Sequence, residues 1–195
     1  MTPRLPADFS SYPLPRTSGA RLIVFSGLPG VGKSALADAV GSRFGIPVFA
    51  TDWLLGALTP FGGRHLNDLL GIAGELLTTL ALRQFALGQS AIIDHPSEHV
   101  ADRERWRTLA DRIGAEFVPV LCECSDPVVH RARLEGRTRG VPGWHDAGAW
   151  PNVERRKASF PPWPDGTLII DTTAAPHEEK LATLLARLTT RESES

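Results

Sequence analysis

Residues 27–34 read Gly27-Leu28-Pro29-Gly30-Val31-Gly32-Lys33-Ser34, the spacing G-x-x-x-x-G-K-[S/T]. Each residue type in that run suits a polyphosphate. The glycines let the backbone turn tightly and bring its N–H groups to an anion, a lysine charge meets the outer phosphates, and a serine hydroxyl is a ligand for Mg²⁺. The context agrees. Leu22-Ile23-Val24-Phe25-Ser26 is a short apolar run before the loop, and Ala35 to Phe44 has the spacing of a helix, whose positive dipole end would face the same phosphates. The run therefore predicts a nucleoside triphosphate site.

Two carboxylates stand where ligands meet an open parallel sheet. Asp52 follows the short run Val48-Phe49-Ala50, and Asp94 closes Ser90-Ala91-Ile92-Ile93. Asp52 fits two roles, a base or orienting group for a substrate hydroxyl and a cap on the helix that follows. Asp94 fits a magnesium role or a turn before Pro96. His95, not glutamate, follows Asp94, so the pattern lacks the Asp-Glu pair of P-loop proteins that activate water. Arg131, Arg133, Arg137 and Arg139 lie on one helix that runs into Gly140-Val141-Pro142-Gly143. They suit a mobile lid, with Arg133 and Arg137 foremost, or a solvated face. Arg105 suits a surface ion pair or a substrate contact. His65, His95 and His145 read as polar loop residues, and Trp53 as either a stacking platform or a core residue. Trp144 and Trp150 are candidates to line the lid.

These groups need elements to position them. Strands at 21–26, 48–50, 90–94, 117–124 and 167–171 alternate with helices, the pattern of a parallel sheet covered on both faces. Residues 53–64 read as a loop or short helix, and His65 to Leu87 as a long, largely buried helix. Asp102 to Arg112 and a segment opened by Asp126-Pro127 read as further helices, with Asp126 as N-cap. Residues 140–166 are a proline- and tryptophan-rich loop with a short helix near Val153 to Ala158, and Pro176 opens a closing amphipathic helix. The expected organisation is a proline-rich N-terminal arm over 1–20, a P-loop domain over 21–190 and a frayed tail over 191–195.

The 195 residues carry a net charge of −1, which does not favour nucleic acid as a partner. Cys122 and Cys124 are spaced too closely on a strand for an ordinary disulfide and read as reduced thiols, with no zinc site around them. The sequence shows no apolar run long enough to span a membrane and no signal-peptide core, so the expectation is a cytoplasmic protein with no membrane partner.

On these residues the chain resembles the small P-loop kinases of the nucleoside-monophosphate-kinase-like group. The branch it is most similar to holds the AAA-domain predicted kinases related to chloramphenicol phosphotransferase, gluconate kinase, zeta toxins and polynucleotide 5′-kinase. The resemblance spans about residues 21–190. It rests on the P-loop, Asp52, Asp94, the Asp126-Pro127-x-x-x-Arg131-x-Arg133-Leu134-x-x-Arg137 helix and the strand end Ile169-Ile170-Asp171-Thr172. It implies a five-stranded parallel α/β fold with helices on both faces and an arginine lid, and ATP and Mg²⁺ as cofactors. Gly27, Leu28, Pro29, Gly30, Val31, Gly32, Lys33, Ser34 and Ala35 would hold the phosphates. Ser34 and Asp94 would serve the metal, Arg133 and Arg137 would close over the phosphates, and the segment with Thr172 would lie near the adenine. Lys33, Asp52, Arg133 and Arg137 are the catalytic set so implied.

The family often places an arginine shortly after the strand-two aspartate, to bind an acceptor phosphate. Residues 53–58, Trp-Leu-Leu-Gly-Ala-Leu, contain none. The departure argues for a neutral, partly aromatic or apolar acceptor. The leading expectation is an ATP-dependent, Mg²⁺-dependent transfer of the γ-phosphoryl group to a small-molecule hydroxyl. An ATP-binding regulator without efficient transfer and a nucleotide or polynucleotide kinase remain as alternatives. Acceptor identity, ATP or GTP preference and oligomeric state stay open.

Overall fold

The run Arg21–Ser26 becomes strand β1, and every residue in it is buried. Its middle, Leu22 to Phe25, is apolar as a strand hidden on both faces requires, while buried Arg21 and Ser26 at its ends donate to the Leu188 and Pro96 carbonyls. The strand lies at the centre of a five-stranded, wholly parallel sheet. The other strands are β2 (Val48–Ala50), β3 (Ala91–Asp94), β4 (Glu116–Glu123) and β5 (Leu168–Asp171), in the spatial order β2-β3-β1-β4-β5. The computed structural model describes residues 19–61, 66–137, 140–143, 149–173 and 177–192. Residues 1–18 of the expected arm, His65, Arg139, Trp144, His145, Pro176 and the last three residues lie outside the described residues.

Helices α1 (Lys33–Phe44) and α7 (His177–Glu192) cover one face, where Leu36, Val40, Leu184 and Leu188 join Ile23, Phe25 and Val120 in one core. Helices α3 (Leu66–Ala86) and α4 (Val100–Ile113) cover the other, where Leu77, Phe85, Trp106 and Ile113 pack on Leu22, Val24 and Ile93. Alternate residues of β1 thus feed opposite cores, as strand geometry requires. Helix α5 (Pro127–Glu135) starts as expected: the Asp126 carboxylate accepts from the Val128 and Val129 amides at 2.8 and 3.2 Å, with Pro127 in the first turn. Cys122 and Cys124 are free and buried in the α1/α7 core, and burial pushes the Cys122 thiol up to about 12.

Several expectations need correction. Of the two readings of residues 53–64 the short helix is the one found, but it opens earlier, as α2 (Thr51–Leu58), and is followed by a 3-10 turn at Thr59–Phe61. Its N-cap is Ala50, without a side-chain cap, so Asp52 is a first-turn residue and not the cap. Helix α3 is buried along one face, at Ala73, Leu77, Thr78, Ala81, Leu82 and Phe85, while Leu70 and Leu76 are exposed, because only that face packs on the sheet. Its segment Asp68–Ala86 is long and apolar enough, by length and composition, to cross a membrane, against the sequence expectation. The inward stripe packs on the sheet as a core helix does. The last loop carries a longer helix than expected, α6 (Trp150–Ala158), which opens with Pro151 in its first turn.

Candidate active site

Parallel register gathers the chemistry at one edge of the sheet. Phe25 pairs with Asp94 and Ala50 pairs with Asp94, so the P-loop, the β3 end and the start of α2 emerge side by side. The Thr51 hydroxyl donates to the Asp94 carbonyl at 3.2 Å and ties the β2 and β3 ends together. Gly27 has φ 139°, and a Cβ there would stand 2.3 Å from the Cys122 carbonyl oxygen, so only glycine lets the loop leave β1 this close to β4. The loop is also braced from outside. The Gly27 amide donates to the Pro96 carbonyl at 3.3 Å, and buried His130 on α5 lies with Nε2 2.8 Å from the Pro29 carbonyl. Burial pushes the His130 imidazole down from its ordinary value, and the bond to Pro29 opposes that.

Lys33 opens α1 and is buried, its Nζ 3.9 Å from Asp94 Oδ1. Ser34 follows it. Asp94 is buried too, and its Oδ1 has no hydrogen-bond partner. A cavity of about 250 Å³ joins Ser34, Asp94, Asp52, Trp53 and Arg137, with Asp38 and Val141 at its rim. Asp38 lies one helical turn beyond Ser34, and burial together with the Asp94 charge pushes its carboxyl up. No cluster of three or more His, Cys, Asp or Glu side chains fit to hold a metal occurs among the described residues. One serine hydroxyl in the same cavity as a buried carboxylate oxygen that accepts no hydrogen bond fits Mg²⁺ that takes most of its ligands from phosphate and water.

Arg137 and Arg133 part company. Arg137 has Nε and Nη2 buried without a partner, and it faces the Ser34–Asp94 cavity. Arg133 does not reach that cavity. Its Nη1 donates to Thr172 Oγ1 at 3.1 Å and its Nη2 to the Thr172 carbonyl at 2.9 Å. Thr172 itself is buried, with Oγ1 2.7 Å from the Val31 carbonyl and 2.9 Å from that of Glu123. Its hydroxyl supports the P-loop from the β4–β5 side. Beyond it, hydrogen bonds from Ser125 and Thr173 hold the Asp171 carboxyl far below the usual range. The turn after α5 rests on α2: a Cβ on Gly143 would stand 2.4 Å from the Gly56 carbonyl oxygen, and its φ is +74°.

A second cavity of about 380 Å³, within the range of small-molecule sites, opens on the other side of Asp52. Its apolar wall is Leu55, Leu66 and Leu70, with Gly71 and Gly74 of α3 between them. Its polar wall is Lys33, Asp52, His95, Glu98, Asp102, Arg105 and Arg156. His95 accepts the Ser97 amide at Nδ1, 2.9 Å away, which leaves the ring proton on Nε2. Burial pushes that imidazole down, against the pull of Asp102 and Asp94. Arg105 is not a surface residue. It is buried, its Nη2 2.8 Å from Glu75 and its Nη1 3.2 Å from Thr78 Oγ1. Trp53 is 58% exposed at the mouth of the smaller cavity, which removes the core alternative for it. Trp150 packs edge-on to His130 at 5.2 Å.

Sequence reasoning missed Asp38, His130, Glu98 and Arg156. Asp38 had a signal, the i, i+4 spacing from Ser34. The others act across chain separations that no local pattern carries.

The family model AAA_33, described as an AAA domain, matches residues 22–143. No curated protein matches the chain. Solved structures do. A sugar kinase from Janibacter sp. HTCC2649 superposes with a TM-score of 0.64 at 16% identity, covering 87% of this chain and 95% of the other. A gluconokinase from Sinorhizobium meliloti 1021 gives 0.56 at 19%, covering 91% of this chain and 98% of the other. The APS kinase of Mycobacterium tuberculosis, solved with AMPPNP and APS, gives 0.55 at 19%, covering 90% and 99%. Since the matching family model takes in the P-loop, both strand-end aspartates and the arginine helix, the chain belongs to the AAA_33 family of AAA domains and has the fold of the P-loop kinases.

Proposed function

We infer that the chain is an ATP-dependent kinase that moves the γ-phosphoryl group to a hydroxyl of a small molecule. The observation that carries this is the position of Asp52, which lines both the Ser34–Asp94–Arg137 cavity and the larger cavity beside it. A group at that junction can meet an acceptor hydroxyl on one side and the transferring phosphoryl group on the other. The names of the neighbouring folds, a sugar kinase, a gluconokinase and an APS kinase, support the same reading.

Phosphoryl transfer asks mainly for positioning and charge neutralisation. Lys33 and the backbone N–H groups of Gly30 and of Gly32 to Ala35 hold the phosphates, the Gly27 N–H being spent on the Pro96 carbonyl and Pro29 having none. Ser34 and Asp94 would hold Mg²⁺, which supplies charge neutralisation on the phosphate oxygens. Arg137 offers two unpaired N–H groups to the charge that develops on the transferred group. Asp52 orients the acceptor hydroxyl and takes its proton as the new O–P bond forms and the bond from the γ-phosphorus to the ADP oxygen breaks. Arg133 and Thr172 keep the loop and the β5 end in register for the nucleotide.

The test is ATP consumption across a panel of alcohols, with product identified by mass. Asp52→Asn is expected to lower kcat by about two to four orders of magnitude, and Lys33→Ala to remove turnover. Equal rates for wild type and Asp52→Asn would remove Asp52 from the chemistry.

A further inference from the structure

We propose that Glu98 sets the acceptor class, by occupying Arg156 so that the larger cavity admits neutral alcohols and turns away anionic ones. The inference rests on the reading of that cavity as the acceptor site. Arg156 comes from α6 and Glu98 from the β3–α4 loop, 58 positions apart in the chain, and they close a two-point ion pair through Nε and Nη2 of the arginine. The pair is sheltered, with side-chain exposures of 30% for Arg156 and 20% for Glu98. Both residues line the cavity beside Asp52, whose negative charge also acts on Arg156.

The other cations on this wall are engaged as well. Lys33 faces Asp94, and Arg105 is held by Glu75 and Thr78. Among the described residues, therefore, each lysine or arginine lining the cavity already has a carboxylate partner, while Asp52 and Asp102 add negative charge. A carboxylate or phosphate on the acceptor would have to displace Glu98 from a fork-to-fork contact and would then face Asp52. A neutral hydroxylated ring faces no such competition. It can lie on Leu55 and Leu70 and present a hydroxyl to Asp52. The arginine that would recognise an anion is thus present, but masked by one residue.

The experiment compares matched neutral and acidic alcohols, D-glucose with D-gluconate and glycerol with D-glycerate. Wild type is expected to favour the neutral member of any pair it turns over by about tenfold or more in kcat/KM. Glu98→Gln, which keeps shape and removes charge, should lower KM for the acid and cut that preference by about tenfold. The double variant Glu98→Gln/Arg156→Gln should lose the gain. Calorimetry with D-gluconate in the presence of AMPPNP reads the same mask without turnover: binding to Glu98→Gln, none to wild type or the double variant. If no alcohol in the panel is phosphorylated, the kinase reading fails while this binding pattern still decides the mask. Wild-type turnover or binding of the acids as good as that of the neutral members would overturn the proposal. So would a Glu98→Gln protein that melts like wild type yet leaves the ratio unchanged or loses kcat equally for both members, since that is what a purely structural ion pair would do.

Discussion

Replacing Thr172 by valine should loosen the P-loop without touching any group that meets substrate. The hydroxyl of Thr172 is buried and has three polar neighbours: the Val31 carbonyl at 2.7 Å, the Glu123 carbonyl at 2.9 Å and Arg133 Nη1 at 3.1 Å. It carries one proton, so it donates to one carbonyl at a time and accepts from the guanidinium. Valine has nearly the same shape, so no cavity forms, and the effect isolates the hydrogen bonds. Losing a neutral donation removes about 1 kcal/mol, and losing a charge-assisted one about 1.5 to 3 kcal/mol. Arg133 keeps its 2.9 Å bond to the Thr172 carbonyl, which softens the second loss. The expected total is about 2 to 3 kcal/mol, equivalent to a drop in Tm of roughly 4 to 12 °C in a chain of this size. Because Val31 belongs to the loop, AMPPNP affinity should fall as well. Denaturant unfolding of the free protein measures the first effect and calorimetry the second. Thr172→Ser, which restores the hydroxyl, should recover most of both. A Thr172→Val protein within about 0.5 kcal/mol of wild type would mean that this hydroxyl does not brace the loop, since that margin is below any buried hydrogen bond worth naming.

Other perturbations follow from the same geometry. A Cβ on Gly71 meets nothing within 4 Å, so Gly71→Leu should grow into the larger cavity and raise the acceptor KM while AMPPNP affinity holds. It should also stabilise α3 by up to about 1 kcal/mol, since glycine is a poor helix former; a melting curve and steady-state kinetics separate the two effects. Arg137→Gln should lower kcat by about a hundredfold or more with no loss of stability, because two buried N–H atoms of Arg137 have no partner to lose; a large fall in Tm would mean that it braces the fold instead. The folded pKa of His130 lies below its ordinary value, through burial and then through Lys157 and Arg133. The unfolded chain therefore binds the proton first, and the His130 contribution to stability is complete above about pH 6.5 and falls as pH drops below it, by at most about 1.4 kcal/mol per pH unit. Unfolding of wild type and His130→Gln at pH 7.5 and 5.5 should show a shallower slope in the variant.

What could be read from the sequence depended on how far apart the cooperating residues are. The P-loop is eight consecutive residues that offer their own backbone N–H groups, a lysine and a serine to an anion, so the motif reads in one stretch. Asp52 and Asp94 were readable because a parallel sheet delivers the carboxyl ends of its strands to one edge, whatever the loops do. The arginine helix shows where this logic stops. Arg133 and Arg137 belong to one motif that reads as one helix, yet α5 ends at Glu135, so Arg133 in its last turn meets the β5 end while Arg137, beyond the helix, faces the phosphate cavity. That choice is made by Thr172, 39 positions away from Arg133. His130 meets Pro29 across 101 positions, and Glu98 meets Arg156 across 58. Neither pair has a local period or spacing to betray it. The division has a functional sense. Most of the groups proposed to hold a triphosphate lie in the loop itself, whereas the shape and charge of the proposed acceptor cavity arise only when α2, α3, the β3–α4 loop and α6 converge. Acceptor choice can therefore change through single substitutions such as one at Glu98, far from the motif, with the phosphate machinery left intact.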